Sequence, residues 1–343
     1  MIEIDGTFGE GGGQILRTAL GLSALTGKPF HISRIRGNRP KPGLRRQHLT
    51  AVTAAQKVAD AQIRGAQLDS TDLTFVPQRV AGGEFRFDIQ TAGSAMLVLQ
   101  TILPPLLRAE RPSTVAIRGG THNPMSPPFD FFAETFAPAI ARMGFWVEAR
   151  LVRHGFYPAG GGEVVVQIEP AANTRPIDFT APQGSAILSA RVILARLPER
   201  VWEAERRALE SLGLDFVAIE RRDVADSAGP GNCVEIVVDR GQGDERIRSV
   251  LTAFGERGRP SAQVVEEAAG YVRELLASGA AVDRFLADQL LLYLGMAGGG
   301  SLTAPILSLH ATTNMAVIEK FLPVHFTPQQ IENLWQAQCL PYS

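Results

Sequence analysis

Apolar and polar positions divide this chain into three similar stretches, each switching between the helical period and the strand period in the same order. In the first, a glycine-rich turn at 9–13 opens a helix over 14–25. A strand at 29–35, a basic loop at 36–42 and a helix at 43–59 follow. In the second, Ala92-Gly93-Ser94 opens an apolar helix to about 107, then come a strand at 113–118, the loop 119–127 and a helix to about 143. In the third, Asp288 and Gln289 stand near the start of a helix to about 296. Gly298-Gly299-Gly300, a strand at 301–308, a polar turn at 311–313 and a last helix carrying Met315, Val317, Ile318, Phe321 and Leu322 complete it. Extra strands at 84–90 and 163–168 lie between units. Repetition of such a unit predicts an α/β fold of layered sheets with helices packed between them. The loops after the strands should then face one way and cluster.

Residues 184–277 break the pattern. Strands at 187–195, 216–220 and 234–238 alternate with a charged helix at 199–212 and a helix at 262–276. This reads as a small inserted αβ domain, leaving 1–183 and 278–343 as a large domain of three repeated units.

Composition narrows the setting. At 343 residues the chain exceeds one average domain, and 45% hydrophobic residues suit an ordinary globular protein. Cys233 and Cys339 lie far apart and suggest a reducing compartment without structural zinc. The N-terminus has no basic-then-apolar signal pattern, and no apolar run reaches membrane-spanning length, so a cytoplasmic location is expected. A net charge of −1 argues against a general nucleic-acid coat. The cations are nonetheless mostly Arg, with Lys only at 28, 41, 57 and 320, and Arg grips phosphate through two bonds at once. Much of this charge falls in Arg34–His48, which fits recognition of one end of a polyanion.

Two familiar phosphate signatures fail. Gly21 to Lys28 has five residues between its glycines, Pro29 where magnesium needs a hydroxyl, and lies between a helix and a following strand. Gln14 stands where a dinucleotide fingerprint needs its last glycine. His310, between an apolar run and an amphipathic helix, is the leading nucleophile, because the free N–H groups of a helix start can hold the phosphate it would attack. A partly buried histidine at a strand end is the bland alternative. Glu10, Gln14 and Arg17 either hold a metal ion and phosphate oxygens or form a capping arrangement. Arg36, Arg39, Arg46, Gln47 and His48 either grip a phosphate or form a solvated loop. Gln100 lies in an apolar helical stripe, and Asp288 and Gln289 either cap their helix or meet a ligand.

Four segments together resemble the RNA 3′-terminal phosphate cyclase family. They are Gly9-Glu10-Gly-Gly-Gly-Gln14-Ile-Leu-Arg17; Arg39-Pro-Lys-Pro-Gly-Leu-Arg-Arg-Gln47-His-Leu; His154-Gly-Phe-Tyr-Pro-Ala-Gly-Gly-Gly; and Leu286-Ala-Asp-Gln followed by His310. The resemblance implies three αβ units plus an insert, an architecture that enolpyruvyl transferases share, so fold alone does not settle function. It implies an ATP-dependent ligase that turns an RNA 3′-phosphate end into a 2′,3′-cyclic phosphate. His310 would become adenylylated, and Glu10 would bind a divalent metal, Mg²⁺ or Mn²⁺. Arg17, Arg36, Arg39 and Gln47 would hold the substrate phosphate. Gln100, Pro127, Phe285, Leu286, Ala287, Asp288 and Gln289 would contact the nucleotide, although Phe285 replaces a frequent Tyr. The rival expectation is a non-catalytic relative that binds RNA in ribosome assembly; such relatives lack the histidine. The partner expected is an RNA 3′-phosphate end, with no membrane and no stable protein partner.

Overall fold

The computed structural model describes residues 1–179 and 184–342, Asp244 by its backbone alone. The boundary expected at residue 183 lies outside the described residues. The first unit runs β1 (Ile2–Asp5), α1 (Gly13–Thr26), β2 (Phe30–Ser33), α2 (Arg46–Ala59), β3 (Gln62–Arg64) and β4 (Leu73–Val76). The second runs β5 (Glu84–Asp88), α3 (Ala95–Leu106), β6 (Ser113–Gly119), α4 (Phe129–Phe131), a π-helical turn (Phe132–Phe136), α5 (Ala137–Ala141), β7 (Val147–Arg153) and β8 (Gly162–Ile168). The third opens with β9 (Ile177–Phe179). The chain then leaves it for β10 (Ile187–Ala195), α6 (Glu199–Glu210), β11 (Phe216–Val224), β12 (Gly231–Arg240), β13 (Ile247–Phe254) and α7 (Ser261–Ser278). It returns with α8 (Arg284–Met296), β14 (Gly300–Ala304), α9 (Leu309–Phe321), β15 (Val324–Ile331) and β16 (Leu334–Pro341).

The three units share one topology. Their sheets are ordered β1-β2-β4-β3, β5-β6-β8-β7 and β9-β14-β16-β15. In each, the first two strands run parallel, in registers Ile2 with Phe30, Glu84 with Thr114 and Ile177 with Gly300, and the remaining pairs run antiparallel. The parallel pair requires a crossover helix, which α1, α3 and α8 supply, and the chain between β9 and α8 is where the insert enters. Sheets that each have one apolar face must cover it, and the helices do so by meeting in the middle: α1 packs on α2, α3 and α9, and α8 on α9. This position explains why α1 buries Ile15, Leu16, Ala19, Leu20 and Leu22 around much of its circumference. One continuous core results, running from Ile4 and Phe30 through Leu99 and Val166 to Leu290, Phe321 and Phe326.

The insert has its own sheet, β11-β10-β12-β13, and its own core around Val192, Leu209, Ile236, Leu251 and Val265. The sequence pattern misses β13, whose apolar residues Ile247, Val250, Leu251, Ala253 and Phe254 do not alternate cleanly. The seam to the body combines apolar packing, Phe156 against Ile193, Ala195 and Cys233, with polar ties. Glu134, on the π-helical turn, accepts from Arg191 Nη1 at 2.6 Å and Arg248 Nη1 at 2.9 Å. Ser249 Oγ donates to Asp283 Oδ2 at 2.7 Å, and Arg240 donates to the Ala280 and Ala281 carbonyls. Among the described residues no helix is long and apolar enough to cross a membrane.

Candidate active site

The site assembles at the start of α9. Ser308 caps that helix, its Oγ accepting from Ala311 N at 2.9 Å, and the same hydroxyl donates to Asp288 Oδ1 on α8 at 2.6 Å. The helix therefore begins at Leu309, and residues 311–313, expected as a turn, form its first turn; β14 ends at Ala304 rather than 308. A serine cap with an acidic anchor explains the early start, and places His310 among the free N–H groups of the helix end.

His310 is exposed but not loose. Its Nδ1 lies 2.6 Å from Gln14 Oε1, and Gln14 is buried in the first turn of α1. The amide oxygen only accepts, so Nδ1 carries the proton and Nε2 keeps a free lone pair. Partial desolvation of the ring lowers the pKa of His310; Asp288 opposes this, and Arg17 and Arg39 reinforce it. A neutral imidazole with one fixed tautomer is the form a nucleophile needs.

Thr313 joins this helix to the glycine-rich turn. Its Oγ1 accepts from Glu10 N at 3.0 Å and donates to Leu309 O at 2.6 Å. Gly9, at φ +54°, lies so close that a Cβ would sit 2.1 Å from that hydroxyl, so only glycine fits. Glu10 pairs with Arg39, and neither of its carboxylate oxygens accepts a well-directed hydrogen bond. Asn38 Nδ2 donates to Thr7 O at 2.9 Å and pins the basic loop to the same turn. Arg17 is half-buried, with its Nε unpartnered and its pKa lowered to about 10 by desolvation, which still leaves it charged at neutral pH. Next to it, burial and the charges of Arg17, Arg36 and Arg45 push His48 down to about 3, so that ring is neutral.

The other expected residues divide. Arg36 spends its Nη1 on the Lys41 and Gly43 carbonyls at 2.7 and 2.9 Å, shaping the loop that carries Arg39. Gln47 Oε1 accepts from Ser94 N at 3.0 Å, tying α2 to the start of α3. Gln100 hydrogen-bonds Gln289 across the α3–α8 seam. Asp288, half-buried and raised to about 6 by desolvation, does not cap its helix; Asp283 does, accepting from Phe285 N and Leu286 N at 2.9 Å. Leu286 and Ala287 bury their side chains in the core, which leaves their backbone alone for any ligand, while Phe285 stays partly exposed, edge-on to Tyr271. Pro127 is half-buried in the loop after β6, and no hydrogen bond among the described residues joins it to His310.

Comparison with known proteins bears on what this cluster is. The family model described as RNA 3′-terminal phosphate cyclase matches residues 8–328. The chain belongs to that family. It is 50% identical to the RNA 3′-terminal phosphate cyclase of Ralstonia nicotianae, over 96% of this chain and 93% of that one. It is 48% identical to the protein of that name from Koribacter versatilis, over 97% and 93%. It is 44% identical to the one from Salmonella typhimurium, over 97% of each.

Within this cyclase-family fold the His-Gly-x-x-Pro-x-Gly-Gly-Gly segment is a brace. Gly155 N donates to Thr121 Oγ1 at 2.9 Å and Gly155 O accepts from Thr121 N at 2.8 Å. Gly160, at φ +65°, lies so close to Ala92 that a Cβ would come within 2.8 Å of its Cα. Beside this brace His122, Asp130 and Glu235 bring one donor atom each within 4.8 Å of the others. Arg191 already pairs with Glu235 at 2.9 Å and Arg222 with Asp130 at 3.6 Å, so guanidinium groups supply the counter-charge there. Sequence reasoning missed Ser308, Thr313 and Asn314. Their signal is spacing: Thr313 and Asn314 follow His310 by three and four residues, one helical turn, and so flank it. Asn314 accepts from Thr18 Oγ1 at 2.8 Å and donates to Asp288 O at 3.4 Å, linking α1, α8 and α9 beneath the ring.

Proposed function

We propose that this chain is a catalytically active cyclase that converts an RNA 3′-phosphate end into a 2′,3′-cyclic phosphate at the expense of ATP. The observation that carries the reading is the His310–Gln14 contact, which leaves Nε2 as a free nucleophile beside two arginines. In the first step Nε2 attacks the α-phosphorus of ATP, the bond to the bridging oxygen breaks, and pyrophosphate leaves. An oxygen of the RNA 3′-phosphate then attacks the same phosphorus and releases the imidazole. Last, the 2′-hydroxyl loses its proton, closes on the 3′-phosphorus and expels AMP. Each step exchanges one phosphorus bond for another, and AMP turns a poor leaving oxygen into a good one.

Arg17 and Arg39 lie where they would draw charge off the phosphates. Gln100, Phe285 and Gln289 offer side chains on the α8 flank of His310, where a nucleotide would be held; the peptide groups of Leu286 and Ala287 contribute there only as backbone. Glu10 would hold a divalent cation in exchange for its present counter-charge, Arg39: beyond that ion pair neither carboxylate oxygen accepts a hydrogen bond, and glycine at 12 leaves the carboxylate space, since a Cβ there would lie 2.2 Å from Oε2. Such an ion would screen the phosphate charge. In this reading 1–183 and 278–343 form the catalytic domain, 184–277 is a separate inserted domain, and the enzyme works in the cytoplasm.

The test is incubation with magnesium and ATP labelled at the α-phosphate. The protein should take up acid-labile label, and a 3′-phosphorylated oligonucleotide should then become resistant to phosphatase. RNA binding without label or protection would favour the non-catalytic relative.

A further inference from the structure

Two large apolar side chains stand in solvent on either side of the glycine-rich turn's junction with α9. Phe8 is 51% exposed and Leu309 is 59% exposed. Neither belongs to a mobile excursion. Phe8 N donates to Asp5 O at 3.1 Å and Phe8 O accepts from Gly11 N at 3.0 Å, so the residue is fixed inside two consecutive turns. The Thr313 hydroxyl then bridges Glu10 N and Leu309 O, which sets the Phe8 turn against the Leu309 turn of the helix.

Helix geometry fixes the side on which they lie. Leu309 and Thr313 are four residues apart and share a face of α9. Ser308 and Asn314, which contact Asp288 of α8, lie on the other side of the same helix. His310 sits between the two. The α8 flank holds the residues read above as nucleotide contacts, whereas the Phe8 flank is joined through Thr7–Asn38 and Glu10–Arg39 to the basic loop. A ligand whose phosphate is held by Arg39 and reaches His310 would lay its next rigid group over Phe8.

We propose that Phe8, with Leu309 exposed on the adjoining helical turn, is the platform on which the base of the RNA's 3′-terminal nucleotide stacks. The inference rests on the functional reading above for the identity of the strand. Every base has a flat aromatic face, so such a platform accepts any terminal base and rejects an end that lacks one. It places the terminal ribose near His310 without reading sequence.

The test measures binding rather than turnover. Fluorescence anisotropy would follow 3′-phosphorylated oligoribonucleotides ending in each of the four bases, and one whose last nucleotide is abasic. Stacking losses of this kind correspond to roughly a tenfold weakening. Phe8→Ala should raise Kd about tenfold for all four natural ends and leave the abasic end unchanged, and the wild-type protein should bind the abasic end as weakly as Phe8→Ala binds the others. Phe8→Trp should restore binding, and labelling of His310 by ATP should be normal in all three proteins. An unchanged Kd in Phe8→Ala, or equal weakening for the abasic end, overturns the platform. So does a loss of ATP labelling with RNA affinity intact, which would give Phe8 to the adenine instead. Base-dependent binding through Phe8 in a protein that never takes label would keep the platform and sink the cyclase reading.

Discussion

His310 and His122 occupy corresponding places, each following the second strand of its unit, and the chain has made opposite things of them. His122 is fully buried, with Nδ1 2.9 Å from Thr121 Oγ1 and Nε2 2.7 Å from Asp130 Oδ2, and it stacks on His154 at 5.0 Å. Both ring nitrogens are satisfied, so no lone pair is left for chemistry. His310 has one nitrogen tied to a neutral amide and the other open, at an exposed edge beside arginines. Repetition supplied the position. The partners set the difference: a carboxylate and a hydroxyl occupy both nitrogens of one imidazole, and a single acceptor leaves the other with the open nitrogen that the proposed mechanism needs.

The comparison can be broken most sharply by deleting each ring. His310→Ala should remove all label from the protein, a loss of at least about 10⁴-fold in cyclisation, with little change in melting temperature. Equal labelling of the variant would take His310 out of the mechanism. His122→Phe should do the reverse. It takes from buried Asp130 its 2.7 Å hydrogen-bond partner and leaves only Arg222 at 3.6 Å, and should cost about 3 kcal/mol in urea unfolding while the folded protein still takes label. Loss of label in well-folded protein would show that His122 acts in the reaction after all.

Changing the partner instead of the ring sharpens the contrast. Gln14→Leu should slow labelling about 100-fold by freeing the imidazole to turn and change tautomer. Gln14→Glu keeps an acceptor but adds a negative charge, which raises the pKa of the ring. Labelling should fall as His310 protonates, below the ordinary imidazole range in the wild type because partial desolvation lowers its pKa. In Gln14→Glu this acid limb should move to higher pH, and an unmoved limb would mean another group controls it. The smallest effect is expected for Thr121→Val, which removes the hydroxyl shared by His122 and Gly155. It should cost about 1–2 kcal/mol in unfolding and leave the labelling rate alone.

Much of this arrangement can be read from residues in order. The helices at 14–25 and 94–107 and the inserted strand at 187–195 lie within a residue or two of those observed, because their apolar periods are long and clean. The clustering of the loops follows from the repeat, and it does bring the segments carrying Glu10, Arg39 and His310 together. What stays hidden depends on contacts across hundreds of residues. Gln14 is read from the sequence, with Glu10 and Arg17, as a holder of metal or phosphate, and its bond to the His310 ring shows only once residue 310 is beside it. Asp288 reads as a helix cap because a helix start looks the same whichever of Asp283 and Asp288 does the work. The early start of α9 is set by Ser308, whose anchor sits on another helix. The opening and closing strands of each unit are short or at sheet edges, where little apolar pattern exists to be seen.

The third unit is split, with β9 on one side of the insert and α8 through β16 on the other. During synthesis Gln14 and the glycine-rich turn of the first unit therefore emerge early, and His310, which meets Gln14 in the folded chain, follows almost three hundred residues later. In the proposed mechanism, a nascent chain that has emerged only as far as its first two units would lack the group that attacks ATP. On the proposed reading, biosynthetic order would act as a safety catch: the nucleophile is made only after the glycine-rich turn and the arginines that face it.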